Sequence, residues 1–264
     1  MVRKTNLAQD LAGRHAAQFG EAYVSPAEKT RRVRGVFENV ARKYDLMNDA
    51  MSLGWHRVWK KLFVGRVAPR NGMEILDLAG GTGDITRLMH RRAPDAHYIV
   101  CDLTPDMMTV GKTRLLNAGI AGVEWVTGDA AALPFANEQF DRIVISFGLR
   151  NVTFLDRALR EAYRTLKPGG EFWCLEFTTL PHAGAQKIYE TYNRILIPQL
   201  GKMIAQDRAS YDYLIESIAR FPDAPALADL MRAAGFAAPR YQYMTGGIVA
   251  VHSGFRIEEN RHGK

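Results

Sequence analysis

The spacing of apolar residues changes several times along the chain, and each change marks an element. From 31 to about 43, Val33, Val36, Phe37 and Val40 recur at intervals of three and four, the period of one helix face. A second helical stretch, near 56–67, carries Trp55, Trp59, Leu62 and Phe63. Pro69-Arg70-Asn71-Gly72 then reads as a turn and a natural boundary. Beyond it, short apolar strands at 73–79, 98–101, 123–126, 142–146 and 171–177 alternate with helical stretches at 84–92, 105–118 and 155–166. Lys167-Pro168-Gly169-Gly170 stops the last of these helices.

Strands alternating with helices predict an α/β fold with a doubly wound, mostly parallel sheet. A helix-like, tyrosine-rich stretch at 181–220 interrupts the alternation, and a helix returns at 226–234. Two final strands, 240–244 and 248–252, flank Thr245-Gly246-Gly247 as a hairpin and bring the sheet to seven strands. The expected organisation is a helical segment at 1–70, a catalytic domain at 71–256 with a substrate-side insertion at 181–220, and a tail at 257–264. Residues 1–30 are polar with little periodicity and are expected to be loosely ordered.

The strongest chemical signal is Ile75-Leu76-Asp77-Leu78-Ala79-Gly80-Gly81-Thr82-Gly83-Asp84. A buried strand enters a glycine-rich turn that opens a helix. Such a turn lets a ligand approach the main chain closely. The dinucleotide pattern G-x-G-x-x-G is incomplete, because Gly81 and Gly83 fit but Thr86 takes the third position. Asp84 would repel a diphosphate and suit a cation. Asp102 ends the next strand, where an acid accepts hydrogen bonds from ribose hydroxyls. Gly128-Asp129-Ala130 follows the third strand. Three strand ends thus point to a ribose and an adenine without phosphate, which S-adenosylmethionine matches better than NAD.

At these residues the sequence resembles the class I S-adenosylmethionine-dependent methyltransferases, with their Rossmann-like sheet. Longer motifs narrow the resemblance to the ubiquinone/menaquinone biosynthesis C-methyltransferases. They are the run from Val36 through Tyr44-Asp45 to Asp49, Ser146-Phe147-Gly148-Leu149-Arg150-Asn151-Val152, Tyr163 to Gly170, Leu175-Glu176-Phe177, and Thr245 to Ala250. The likeness covers roughly residues 30–256. It implies C-methylation of a polyprenylated quinol, either a methoxy-polyprenyl-benzoquinol or demethylmenaquinol. It also implies cofactor contacts at Thr82, Asp102, Asp129, Ala130 and Ser146, beside the loop glycines Gly81 and Gly83.

Arg150 follows the fourth strand beside Ser146 and is the candidate to hold a phenolate oxygen, with a surface arginine pairing with an acid as the alternative. Tyr44 and Asp45 are placed to cover the cofactor. His56 reads as structural. The stretch 181–220, with Tyr189, Tyr192, Tyr211, Tyr213, Ile195, Leu196, Ile197 and Ile204, is expected to wall an apolar quinol pocket or to pack on the core. The seven histidines show no metal-ligand spacing, and no metal is expected.

Composition narrows the partners. The chain has 264 residues, 47% hydrophobic and 24% charged, an ordinary globular mix. Its two cysteines, Cys101 and Cys174, lie in apolar runs and fit a reducing cytosol. No apolar run reaches the roughly 18–20 residues of a bilayer span. Net charge is +7, yet residues 1–70 hold 14 Lys/Arg against 6 Asp/Glu, a local net of +8. That excess points to the inner face of a membrane, with peripheral association, or to a solvated helical face. Nucleic acid is disfavoured: Ser146-Phe147-Gly148 is not the Asn/Asp-Pro-Pro-aromatic motif of adenine methylation, and neither cysteine follows a proline. The missing third glycine and Asp84 disfavour a nicotinamide oxidoreductase. Acids retained at the strand ends, Asp84, Asp102 and Asp129, disfavour a non-catalytic binding module. A homo-oligomer or biosynthetic complex is left open, as is methylation of another small molecule or RNA.

Overall fold

The structure, a computed structural model, describes residues 10, 12–16, 18–19, 22–40, 48–49, 52–178 and 208–257. Seven strands form one sheet: β1 (Glu74–Leu78), β2 (His97–Asp102), β3 (Glu124–Thr127), β4 (Phe140–Ser146), β5 (Leu166–Phe177), β6 (Ala237–Met244) and β7 (Val249–Phe255). Their spatial order is β3-β2-β1-β4-β5-β7-β6. The first five are parallel to their neighbours, and β7 runs antiparallel to both β5 and β6. The doubly wound sheet and its closing hairpin are therefore present as expected.

Both faces of the sheet are covered, which is why its central strands read as continuous apolar runs. Alternation along β1 divides the core. Ile75 joins one cluster with Val144, Leu175 and Val249, and Leu76 and Leu78 join the other with Ile143 and Ile145. Helix α1 (Pro26–Val40) and α2 (Trp55–Val67) supply Val33, Trp59, Phe63, Val64 and Val67 to the first cluster. Helices α3 (Asp84–His90), α4 (Pro105–Asn117) and α5 (Leu155–Thr165) are the crossovers. Helices α6 (Arg208–Arg220) and α7 (Ala224–Ala233) precede the hairpin.

Two boundaries differ from the sequence expectation. β5 begins at Leu166, the last residue of the expected helix, and takes in the expected stop signal, because Leu166 pairs with Phe140 before an irregularity lets Glu171 pair with Arg142. Order also begins earlier than expected. Residues 12–16 are helical, Gln18–Phe19 pairs with Ala22–Tyr23, and α1 starts at Pro26. The reason is local. Ser25 Oγ accepts from Glu28 N, Pro26 stands at the helix start, and Lys29 Nζ donates to His15 O at 2.6 Å. Ala12, His15, Ala16 and Lys29 are all buried.

Candidate active site

Strand order reverses between β1 and β4, and their carboxyl ends open a crevice at that switch point. One residue past each strand, Ala79 (φ 50°) and Phe147 (φ 56°) adopt left-handed conformations that non-glycine residues rarely take. Strain of this kind gathers where a ligand must meet the main chain. The glycines close the turn. A Cβ on Gly80 would lie 2.8 Å from Asp77 Cγ, and one on Gly148 would lie 2.8 Å from Ala79 Cβ. At both glycines a side chain would collide with its neighbours, so the two loops can pack this closely only with glycine there.

The cleft above them is open to solvent and encloses about 990 Å³ when that mouth is included. Of the sequence-chosen residues, Gly81, Thr82, Asp102, Asp129, Ala130 and Ser146 all line it. Gly83 does not. Its φ is 71° and a Cβ there would press on Trp125 at 3.0 Å, so it serves the turn from behind. Asp102 is half-buried; desolvation raises its pKa, but Thr104 N (2.8 Å) and Gly81 N (2.9 Å) donate to its carboxylate and oppose that shift. Asp129 Oδ1 accepts from Ala131 N at 2.9 Å. Ser146 Oγ is buried without a hydrogen-bond partner among the described residues. An orphaned hydroxyl, a ribose-type carboxylate and a tight glycine turn fit a nucleoside ligand.

Arg150 has a different setting from the one expected for a phenolate clamp. It is 3% exposed, and its Nη1 donates to Glu176 Oε1 (2.6 Å) and to Phe147 O (2.8 Å). The guanidinium also stands over the Phe177 ring, 5.4 Å from its centroid. Arg150 thus meets the cleft only through its neighbours Phe147 and Asn151, which line it. Of the two readings of this residue, the pairing with an acid agrees with the geometry, but the pair is buried and not on the surface as expected. Asp84, read as an attractor for a cation, is likewise engaged: Lys60 Nζ lies 3.0 Å from its Oδ2. Burial would raise the Asp84 pKa, but Lys60 outweighs it and the carboxyl stays below its usual range.

Four contributions escaped sequence reasoning. Asp77 lies within β1, 1% exposed, with Oδ2 accepting from both Thr86 N and Thr86 Oγ1. Burial, only partly offset by those bonds, holds its pKa up at about 7. Lys60 reaches the cleft from α2, and Val33 and Phe37 reach it from α1. The signal for Asp77 and Lys60 was present as a charge inside an apolar pattern. His56 is structural, its Nε2 lying 2.8 Å from Asp49 Oδ1.

Tyr213, from the stretch expected to wall the pocket, is buried. It stacks on Phe19 at 4.5 Å and donates its hydroxyl to Asn151 Oδ1. Tyr44 and Asp45, residues 181–207 with Tyr189, Tyr192, Ile195, Leu196, Ile197 and Ile204, the Tyr211 side chain and most of the tail lie outside the described residues. Cys101 and Cys174 are free and buried, and burial pushes the Cys101 thiol up to about 12.

The same fold occurs in solved methyltransferases. The chain is similar to a Haloferax volcanii complex of the Trm112 methyltransferase activator with a putative methyltransferase, with a TM-score of 0.64 and 16% identity over 87% of this chain and 100% of that one. It is also similar to a Thermotoga maritima S-adenosylmethionine-dependent methyltransferase described as a possible histamine N-methyltransferase, with a TM-score of 0.58 and 20% identity over 85% of this chain and 99% of that one. These likenesses show the doubly wound, Rossmann-like fold.

The chain belongs to the ubiE/COQ5 methyltransferase family, whose model matches residues 26–256. It is 49% identical to the Ubiquinone/menaquinone biosynthesis C-methyltransferase UbiE of Dinoroseobacter shibae, over 90% of this chain and 96% of that protein. It is 43% identical to the mitochondrial 2-methoxy-6-polyprenyl-1,4-benzoquinol methylase of Danio rerio, over 92% and 85% respectively. The expectation of a C-methyltransferase of this family therefore holds.

Proposed function

We propose that the protein methylates a ring carbon of a polyprenylated quinol, with S-adenosylmethionine as donor, while resting on the inner face of a membrane. The observation that carries this reading is the coincidence of the family's motifs with one cleft, where Asp102, Asp129 and Ser146 meet. When bound, S-adenosylmethionine supplies an activated sulfonium methyl. Asp102 would hold the ribose hydroxyls, Asp129 and Ala130 the adenine, and Gly81 and Thr82 the amino-acid end, all of them lining the cleft.

The acceptor quinol brings its own nucleophile, a ring carbon activated by an ionised hydroxyl. The chain therefore needs no covalent nucleophile; its task is alignment and exclusion of bulk water. The hydroxyl proton leaves to solvent before transfer and the ring proton after it, as the sulfonium carbon bond breaks and the ring carbon bond forms. Val33 and Phe37 give the cleft an apolar flank that suits a prenylated ring. Arg150 is a positioning residue: through Phe147 O and Glu176 it holds the loop after β4 in its left-handed turn. Among the described residues no helix is long and apolar enough to cross a membrane.

The test is direct. Purified protein, S-adenosylmethionine and the two demethylated quinols, kept reduced, are incubated separately and the products weighed by mass spectrometry. A gain of one methyl on carbon supports the reading and assigns the branch. No methylated product from either quinol, with S-adenosylmethionine bound, removes the quinol assignment and turns attention to another small molecule or RNA.

A further inference from the structure

Helix α2 is wrapped by the protein on one side only. His56, Trp59, Lys60, Phe63, Val64 and Val67 are buried, and Lys60 on that face reaches the cleft. The opposite side carries Trp55 (49% exposed), Val58 (43%) and Leu62 (50%), at the i, i+3, i+7 spacing of a single stripe. Leu53, 69% exposed, extends the stripe beyond the helix start. Solvated helical faces are normally polar, so a stripe containing a tryptophan and two leucines needs an occupant.

Charge indicates which one. On the helical wheel, Lys61 flanks the stripe on one side and Arg66 on the other, with Arg57 further round beside buried Val64. Arg92 joins them from beyond α3: its guanidinium lies over Gly65, where a Cβ would come within 3.6 Å of Nη2. No acidic residue occurs in α2. Arg57 pairs with Asp49, while Lys61 and Arg92 are exposed. A second copy docked on the same face would set like charges against one another. An anionic bilayer complements both parts, with apolar side chains below the headgroups and cations among them.

We propose that α2 docks the protein on anionic lipid, with Leu53, Trp55, Val58 and Leu62 inserted at the headgroup boundary. This deepens the membrane part of the proposed function and rests on it. It places the lipid surface across one helix diameter from Lys60 and the cleft, about 10 Å.

Co-sedimentation of the full chain with vesicles tests this, using phosphatidylcholine alone and phosphatidylcholine mixed with phosphatidylglycerol, both free of quinol. The wild type is expected to bind the mixed vesicles and to be released by salt. Trp55→Ser with Leu62→Ser should lower binding about tenfold or more. Lys61→Glu with Arg92→Glu should lower binding to the mixed vesicles by about fivefold or more per charge. Titration with S-adenosylmethionine, run in parallel, should be unchanged in every variant. If the double serine variant fails to fold, Trp55→Phe replaces it: brominated lipid should quench wild-type tryptophan emission and spare the variant.

Equal binding by all variants, no vesicle binding by the wild type, or quenching that survives Trp55→Phe would overturn the proposal. So would a shift from oligomer to monomer in the serine variant with vesicle binding intact, which would assign the face to a second copy. Vesicle binding without quinol methylation would refute the substrate reading and leave the docking face standing.

Discussion

Lys60 Nζ donates to Asp84 Oδ2 at 3.0 Å, joining the N-terminal helical segment to the first residue of the helix that follows the glycine turn. Lys60 is almost wholly buried, whereas Asp84 keeps part of its surface at the cleft. The pair ties the basic segment to the cofactor turn, so that the two fold and bind as one unit.

Lys60→Met should therefore act on stability and binding together. A hydrogen bond to a charged group contributes about 1.5–3 kcal/mol, and its loss leaves Asp84 facing the cleft unpaired. Urea unfolding should register a loss within that range, discounted for the exposure of Asp84. Calorimetric titration with S-adenosylmethionine should show weaker binding. Unchanged values in both measurements would mean that the contact carries no weight.

Asp102→Asn keeps the shape and one acceptor oxygen but removes the charge. Gly81 N and Thr104 N already use both carboxylate oxygens. The ribose must compete for them, and the amide competes less well. Affinity for S-adenosylmethionine should fall about 10- to 100-fold, and the melting temperature without ligand should fall as well, since the amide nitrogen meets one of the two backbone N–H donors and leaves it without an acceptor.

The Arg150–Glu176 pair should behave as a buried unit. Removing one partner, in Arg150→Met or Glu176→Met, should cost about 3–5 kcal/mol by denaturant unfolding, and removing both should cost less than the sum of the single changes. A positioning role has its own signature. Arg150→Lys should recover part of the turnover while leaving KM for S-adenosylmethionine near the wild-type value. Additive single changes would show that the two side chains act separately.

Lys29 gives a pH dependence of definite sign. Burial lowers its pKa to about 7 from an ordinary 10.5. Between those values the unfolded chain holds the proton and the folded protein releases it. Stability from this group therefore rises with pH across that window and is constant, at its least favourable, below about 7. Lys29→Met should flatten the slope of unfolding free energy against pH over the same range. An unaltered slope would show that Lys29 is hydrated in the folded state.

Space is equally testable at Gly111. A Cβ there would lie 2.6 Å from Trp125 Cη2 and 2.8 Å from the Thr82 carbonyl carbon. Gly111→Ala should cost about 1–3 kcal/mol and push the glycine turn, so cofactor affinity should fall as well. A variant with unchanged melting temperature and binding would mean that α4 can shift freely.

Much of this molecule could be read from its order of residues, because the cues were local. Alternating strands and helices announced the sheet. The glycine run, Asp102, Asp129 and Ser146 stood at strand ends, and parallel strands bring their carboxyl ends to one edge whatever their packing. The capping pair Ser25 and Glu28 with Pro26 was also local, though periodicity alone passed over it. What the chain could not declare was pairing across distance. That Arg150 faces Glu176, Lys60 faces Asp84 and Tyr213 meets Asn151 depends on which helices lie against which strand ends. An isolated sequence shows that a charge exists. Whether that charge is spent within the protein or offered to a ligand is decided by burial and by the partner folding brings beside it.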